Sequence, residues 1–318
     1  MRSCAAQGRK SLGNNPCNLA EANKKAKKQT MTTISDNTQG AAQTFDFGYF
    51  EVAVHSLLSP SPGGRSENQD NFLTIDRQGY ARFLWDQQQT VEKLEQWPEG
   101  HMRFAILDGM GGHSHGRQAA EQTVKGLLAI PAVNNLGSLD QHITDLHRRL
   151  RREMHVDGAE PGCTLTLIEV PPIGPALLFH VGDSRLYAVD QFQADYLTID
   201  HVPITRFAIQ HLVDKEEWFQ QAHVQSGYQI SQAFILGNSL GGHVQMGLDA
   251  ELYELREANL PAFLRNLGDR RALQLSAGVT YVLASDGLWH LKQPLEFIDR
   301  WPQLLSGQGK PLQEQGRR

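Results

Sequence analysis

Cysteine is scarce in this chain: Cys4, Cys17 and Cys163 are all it has. Thiols so few and so scattered build neither a disulfide framework nor a zinc site, and a reducing cytoplasm is the default setting for such a chain. Excess charge is scarce too. The formal net charge is −5, which gives no basic footprint for nucleic acid. No apolar run is long enough to cross a membrane, so no membrane partner is expected. Paired histidines at helical spacing and paired cysteines are missing, which argues against zinc. No internal repeat is visible, and no linker follows Phe45.

What remains is ordinary globular material. The 318 residues are 40% hydrophobic and 20% charged, enough for one large domain or two ordinary ones. Met1 to Thr30 differs, with seven Lys/Arg against one Glu and no apolar core. It lacks the apolar segment of a secretory signal. Residues 1–44 are therefore expected to be a disordered basic leader, and residues 45–318 one domain. Apolar runs of strand length recur at "YFEVAVHSLL", "NFLTID", "ARFLW", "MRFAILD", "CTLTLIEV", "ALLFHVGDSRLYAVD" and "TYVLASDGLW". Helical periodicity follows Arg117 and fills Leu136 to Met154 and Asp214 to Ala222. A helix does not follow every strand, so a mixed or antiparallel sheet with packed helices suits the pattern.

Chemistry concentrates where strands end. "ILDGMGGHSHG" (106–116) leaves an apolar strand through Asp108 into a glycine-rich turn with two histidines. Taken alone, the stretch reads equally as a common Asp-Gly turn or as a site. "TYVLASDGLW" repeats the logic with Asp286 and Gly287, while Asp70 stands at a strand entrance and Asp183 at a strand exit. Carboxylates at strand ends beside glycine are what Mg²⁺ or Mn²⁺ needs, since these ions prefer carboxylate, carbonyl and water oxygens. Jointly, the metal reading leads.

The order of motifs is similar to that of a known family. "RSENQDNF" (65–72), "DGMGGHSHG" (108–116), "GCTLTL" (162–167), "HVGDSRLY" (180–187), "TIDH" (198–201) and "ASDGLW" (284–289) span about 225 residues. On these segments the chain resembles the metal-dependent protein serine/threonine phosphatases (type 2C, or PPM) in their bacterial form. The resemblance implies an α+β fold: a four-layer sandwich of two antiparallel β-sheets flanked by helices. It implies two Mn²⁺ or Mg²⁺ ions, bridged by Asp108 and completed by the Gly109 carbonyl. Asp286 would ligate one ion, and Asp70 would hold metal-bound water. A water activated between the ions would attack phosphorus while the metals neutralise the equatorial oxygens. Arg65 would clamp the phosphate through its planar fork. His113 would give a proton to the departing serine or threonine oxygen. The implied partners are phosphorylated proteins and a cognate Ser/Thr kinase, and the implied state is a monomer.

Other residues read more plainly. His115 is expected to face solvent, Asp183 to order its turn, and Asp200-His201 to fix the next segment. Cys163 reads as a buried packing residue rather than a nucleophile. The chain also departs from the family pattern. Gln69 stands where Glu is common, and "AFILG" (233–237) lacks an arginine. Thr205 to Tyr228 should form a flap beside the site. After Gly287 come 31 residues, with one helix-like stretch at Pro294 to Leu305. Glu296, Asp299 and Glu314 do not stand at a strand end, so the sandwich is expected to lack its C-terminal strand and that strand's ligand. That leaves an alternative open: a pseudophosphatase, or phosphoprotein-binding module, with weakened metal binding.

Overall fold

Alternation along the strands divides the molecule into layers. A computed structural model describes residues 45–57, 67–110, 113–154, 161–225, 230–235, 237–238 and 251–305, without the side chains of 113, 114, 237 and 238. In chain order the strands are β1 (Asn71–Ile75), β2 (Tyr80–Trp85), β3 (Gln88–Lys93), β4 (Met102–Leu107), β5 (Gly109–Met110), β6 (Gly162–Cys163) and β7 (Leu165–Val170). Next come β8 (Ala176–Val181), β9 (Arg185–Val189), β10 (Ala194–Tyr196), β11 (Gln232–Ala233), β12 (Gly237–Asn238), β13 (Arg270–Leu273) and β14 (Thr280–Ala284). The α-helices are α1 (His113–Ala129), α2 (Leu136–Glu153), α3 (Pro203–Ile209), α4 (Lys215–Phe219), α5 (Pro294–Ile298) and α6 (Trp301–Leu305).

Seven strands form one antiparallel sheet in the order β13-β8-β7-β4-β1-β2-β3, and three form a second, β10-β9-β14. Side chains on successive strand positions point to opposite faces. In β4, Ala105 and Leu107 therefore join the core under α1 and α2, with Val124, Leu127, Ile143 and Leu146. Met102 and Phe104 face the other way, into a second core that includes Ile168 and Leu178 and, from the small sheet, Leu186, Tyr281 and Leu283. The outer face of the small sheet presents Tyr187, Val189, Val282 and Ala284 to Trp289, Ile298 and Trp301. The layers run helix, sheet, sheet, helix, as the sequence implied. A fourth cluster, around Trp218, Ile204, Leu255 and Leu264, gives the segment that follows β10 a core of its own.

One buried cation fixes α1 to the large sheet. Arg103 of β4 donates to Glu169 of β7 at 2.6 and 2.9 Å, and to the carbonyls of Leu127, Ile130 and Pro131 at 2.6, 3.0 and 3.0 Å. Those carbonyls close the C-terminal end of α1, whose last turn holds no basic residue of its own. The other end of α1 opens directly from the glycine turn.

Several expectations need correction. Residues 49–57 form no strand, although "YFEVAVHSLL" has strand composition. The helix after the glycine turn starts at His113, ahead of the periodic stretch. The single helix expected over Pro294 to Leu305 is two short ones, α5 and α6, with Pro302 in the first turn of the second, where its missing N–H costs little. Among the described residues β14 has β9 on one side and is otherwise an edge. Residues 1–44 and 306–318, with the expected leader and Glu314, lie outside the described residues.

Candidate metal centre

Asp108 leaves β4 at the end of the sandwich, and its main chain is held on both sides. Its N–H donates to Thr164 Oγ1 at 2.9 Å, and its carbonyl accepts from the Thr164 N–H at 2.8 Å. Thr164 Oγ1 in turn lies 2.5 Å from Ser184 Oγ, which carries the hold across to the turn after β8. The next residue, Gly109, pairs with Cys163 in the β5–β6 ladder and donates its N–H to Gln69 O at 3.2 Å. A Cβ on Gly109 would come within 2.2 Å of Gly116 O and 2.7 Å of Gln69 O, both backbone atoms. Only glycine lets these three chain segments meet.

That meeting gathers carboxylates. Burial first, and then the charges of Asp70, Asp286 and Asp183, push the Asp108 carboxyl well above the ordinary carboxylate range. Asp183 is 2% exposed, and its Oδ1 finds no hydrogen-bond partner. Burial, followed by Asp200 and Asp286, raises its carboxyl well above the usual value, with Arg185 pulling the other way. Asp70 Oδ2 accepts from Ser285 Oγ at 2.6 Å, which ties the entrance of β1 to the exit of β14. Asp286, next to that serine, lies 3.3 Å from His290 Nδ1 through its Oδ2.

The donor set suits hard, hydrated cations. It consists of carboxylates and a glycine carbonyl, and a buried carboxylate oxygen without a partner costs free energy until something positive meets it. Among the described residues no three His, Cys, Asp or Glu side chains converge into a ready-made ion cage.

The sequence-derived residues fall out unevenly. The charges of Asp70 and Asp286 act on Asp108, and Gly109 follows it in the β5–β6 ladder. Arg65 lies outside the described residues, and of His113 only the backbone, at the first position of α1, is described. His115 is half-buried rather than facing solvent. Cys163 is fully buried beside Thr123, and burial pushes its thiol up to about 12, so it is no nucleophile. Asp200 and His201 are buried, and Asp200 receives the forked guanidinium of Arg185. Gln69 is 5% exposed, and its carbonyl rather than its side chain meets Gly109. The residue that sequence reading undervalued is Asp183. Its place after an apolar run resembled a turn, and only its burial against Asp286 and Asp108 distinguishes it.

Comparisons with known proteins bear on the fold. No family model matches the chain, and no curated protein matches its sequence. Solved structures do match. The serine/threonine phosphatase Stp1 from Staphylococcus aureus is 19% identical, with 87% of this chain and 90% of that one covered at a TM-score of 0.55. The S. agalactiae serine/threonine phosphatase is 21% identical, with 80% and 85% covered at 0.52. A bacterial serine phosphatase is 19% identical, with 80% and 84% covered at 0.50. At such identities the likeness is one of fold.

Proposed function

We propose that this chain, which has the fold of the bacterial PPM-type serine/threonine phosphatases, hydrolyses phosphoserine and phosphothreonine in proteins with two bound Mn²⁺ or Mg²⁺ ions. One observation carries the reading: the charges of Asp70, Asp286 and Asp183 all act on the buried Asp108, and the buried Asp183 Oδ1 has no hydrogen-bond partner. In this reading Asp108, the Gly109 carbonyl and Asp286 would hold the ions, and Asp70 would orient water. The ions, when bound, supply acidified water and neutralise charge on the phosphoryl oxygens.

The chain's own groups do the rest. Thr164 and Ser184 fix the Asp108 main chain, and Ser285 fixes the Asp70 carboxylate, so neither carboxylate has to be reorganised during reaction. Asp183 adds a buried oxygen donor. Arg65 clamps the phosphate and His113 returns a proton to the leaving oxygen. The substrates are phosphoproteins made by a Ser/Thr kinase, and the working form is a monomer. No helix among the described residues is long and apolar enough to cross a membrane.

A second reading draws on the edge at β14, which among the described residues has a partner strand on one side only. A pseudophosphatase would bind phosphoproteins in the same cleft without turning them over. Hydrolysis of a phosphoserine peptide separates the two. The proposal expects turnover that requires roughly millimolar Mn²⁺ or Mg²⁺, since open oxygen sites hold hydrated ions loosely. Binding of the peptide without hydrolysis at any ion concentration would establish the second reading instead.

A further inference from the structure

The geometry points to Arg185 as a positioning residue that ties the segment after β10 to the turn carrying Asp286, so that ion affinity at the carboxylate cluster depends on that segment. The inference rests on the metal reading proposed above.

Arg185 opens β9 and is 1% exposed. Its fork spends every face on a different part of the molecule. Nε and Nη2 donate to Asp200 at 3.0 and 2.7 Å, Nη2 also donates to Ala222 O at 2.7 Å, and Nη1 donates to Tyr187 Oη at 3.1 Å. The flat face of the guanidinium lies 4.5 Å from the centroid of the Trp289 ring. Ala222 belongs to the segment expected to be the flap, and Asp200 lies just ahead of it. Asp200 O accepts from Thr205 Oγ1 at 2.6 Å, and Thr205 Oγ1 accepts from Trp218 Nε1 at 3.2 Å, so the start of α3 and the middle of α4 are joined to the main chain of the residue whose carboxylate Arg185 holds. Ala222 lies in the π turn Gln220–Val224, and π turns are frequent where function needs a displaced carbonyl.

Trp289 belongs to the other party. Its N–H donates to Asp286 O at 3.0 Å, as the N–H of His290 does at 2.9 Å, which makes the indole part of the short turn that aims Asp286. The ring is 3% exposed and its Nε1 finds no hydrogen-bond partner, so it is held by its faces. Arg185 supplies one of them, and Tyr187 packs near it with 6.2 Å between ring centroids. A lysine in place of Arg185 keeps the charge but loses both the fork and the stacking plane. Shifting the flap therefore shifts the surface against which the Asp286 turn rests.

Arg185→Lys, Trp289→Phe and the double variant test this by Mn²⁺ titration calorimetry without substrate and by amide hydrogen exchange. Each single variant should unfold cooperatively and bind Mn²⁺ about tenfold more weakly, the scale seen for residues that orient ligands from behind. The double variant should be no weaker than the worse single one, because both cut the same link. In the wild-type chain Mn²⁺ should slow exchange at Phe219 to Val224, and that response should vanish in Arg185→Lys. If Arg185→Lys does not fold, Trp289→Phe, which retains an aromatic ring in the core, decides alone. Folded variants with wild-type Mn²⁺ affinity, flap exchange in the wild type that ignores Mn²⁺, or a wild-type chain that takes up no Mn²⁺ would each overturn the inference. A wild-type chain that binds Mn²⁺ as described but leaves phosphopeptides intact would overturn the proposed function and leave the inference standing.

Discussion

At the scale of single residues, Gly109 shows how backbone crowding makes a site. Its absent side chain lets Gln69 O and Gly116 O approach within 2.7 and 2.2 Å of where a Cβ would stand. Gly109→Ala must push apart backbone rather than a flexible side chain, and that displacement falls on Asp108 and the Gly109 carbonyl together. We expect turnover to drop on the order of a hundredfold, the cost of misplacing a reacting constellation by about 1 Å. Phosphopeptide kinetics beside a thermal melt check this, and an alanine variant with near-normal rate would contradict the cradle. The sequence showed Asp108 and Asp286 because each carries a local signature of apolar strand, acid and glycine, and Asp70 because it stands at a strand entrance. Asp183 was legible as a carboxylate at a strand exit. Its burial, set by long-range packing, is what no local pattern records.

At the scale of elements, legibility followed how much of a strand is covered. The strands β1, β2, β4, β7, β8, β9 and β14 announced themselves as apolar runs. Among strands longer than two residues, those that did not, β3, β10 and β13, are sheet edges, and β14, also an edge among the described residues, was legible because its own sequence is apolar. An edge packs on fewer neighbours and tolerates polar sequence such as "QQTVEK", so its hydrophobic signal is weak. The Arg103–Glu169 pair was equally hidden, since a buried ion pair looks like surface charge in a sequence. Breaking it is costly. Arg103→Met leaves the fully buried Glu169 without its main counter-charge and uncaps the end of α1, for a loss of about 3–5 kcal/mol. Denaturant melts of Arg103→Met, Glu169→Gln and the double variant should show the double less destabilised than the sum of the singles. Strict additivity would mean the two residues act independently.

At the scale of the whole molecule, titrating groups oppose one another. Burial lowers His180, His201 and His223, with His201 lowered to about 3 from an ordinary 6.5. A group depressed on folding contributes stability above its unfolded value and loses it as pH falls, so these histidines favour unfolding below about 6.5. Burial raises Asp108, Asp183 and Asp269, with Asp269 raised to about 7 from 3.8. Raised acids work the other way: their contribution is complete below 3.8 and fades as pH rises through the folded value. The ion-free chain should therefore change little in melting temperature from pH 7 down to about 5. With Mn²⁺ bound, Asp108 and Asp183 stay ionised, that offset is lost, and stability should fall more steeply with acid. Equal slopes with and without Mn²⁺ would contradict the balance described here.

The four-layer fold, the charges of Asp70, Asp183 and Asp286 that act on the buried Asp108, and the proposed chemistry meet in a single claim: the acids at the end of the sandwich hold ions that hydrolysis requires. Release of phosphate from a phosphoserine peptide, followed while Mn²⁺ is removed with excess chelator and then restored, tests it most directly. The account predicts a rate that vanishes in chelator, returns with millimolar-range ion, and never rises in Asp108→Asn. A full rate in excess chelator would contradict it.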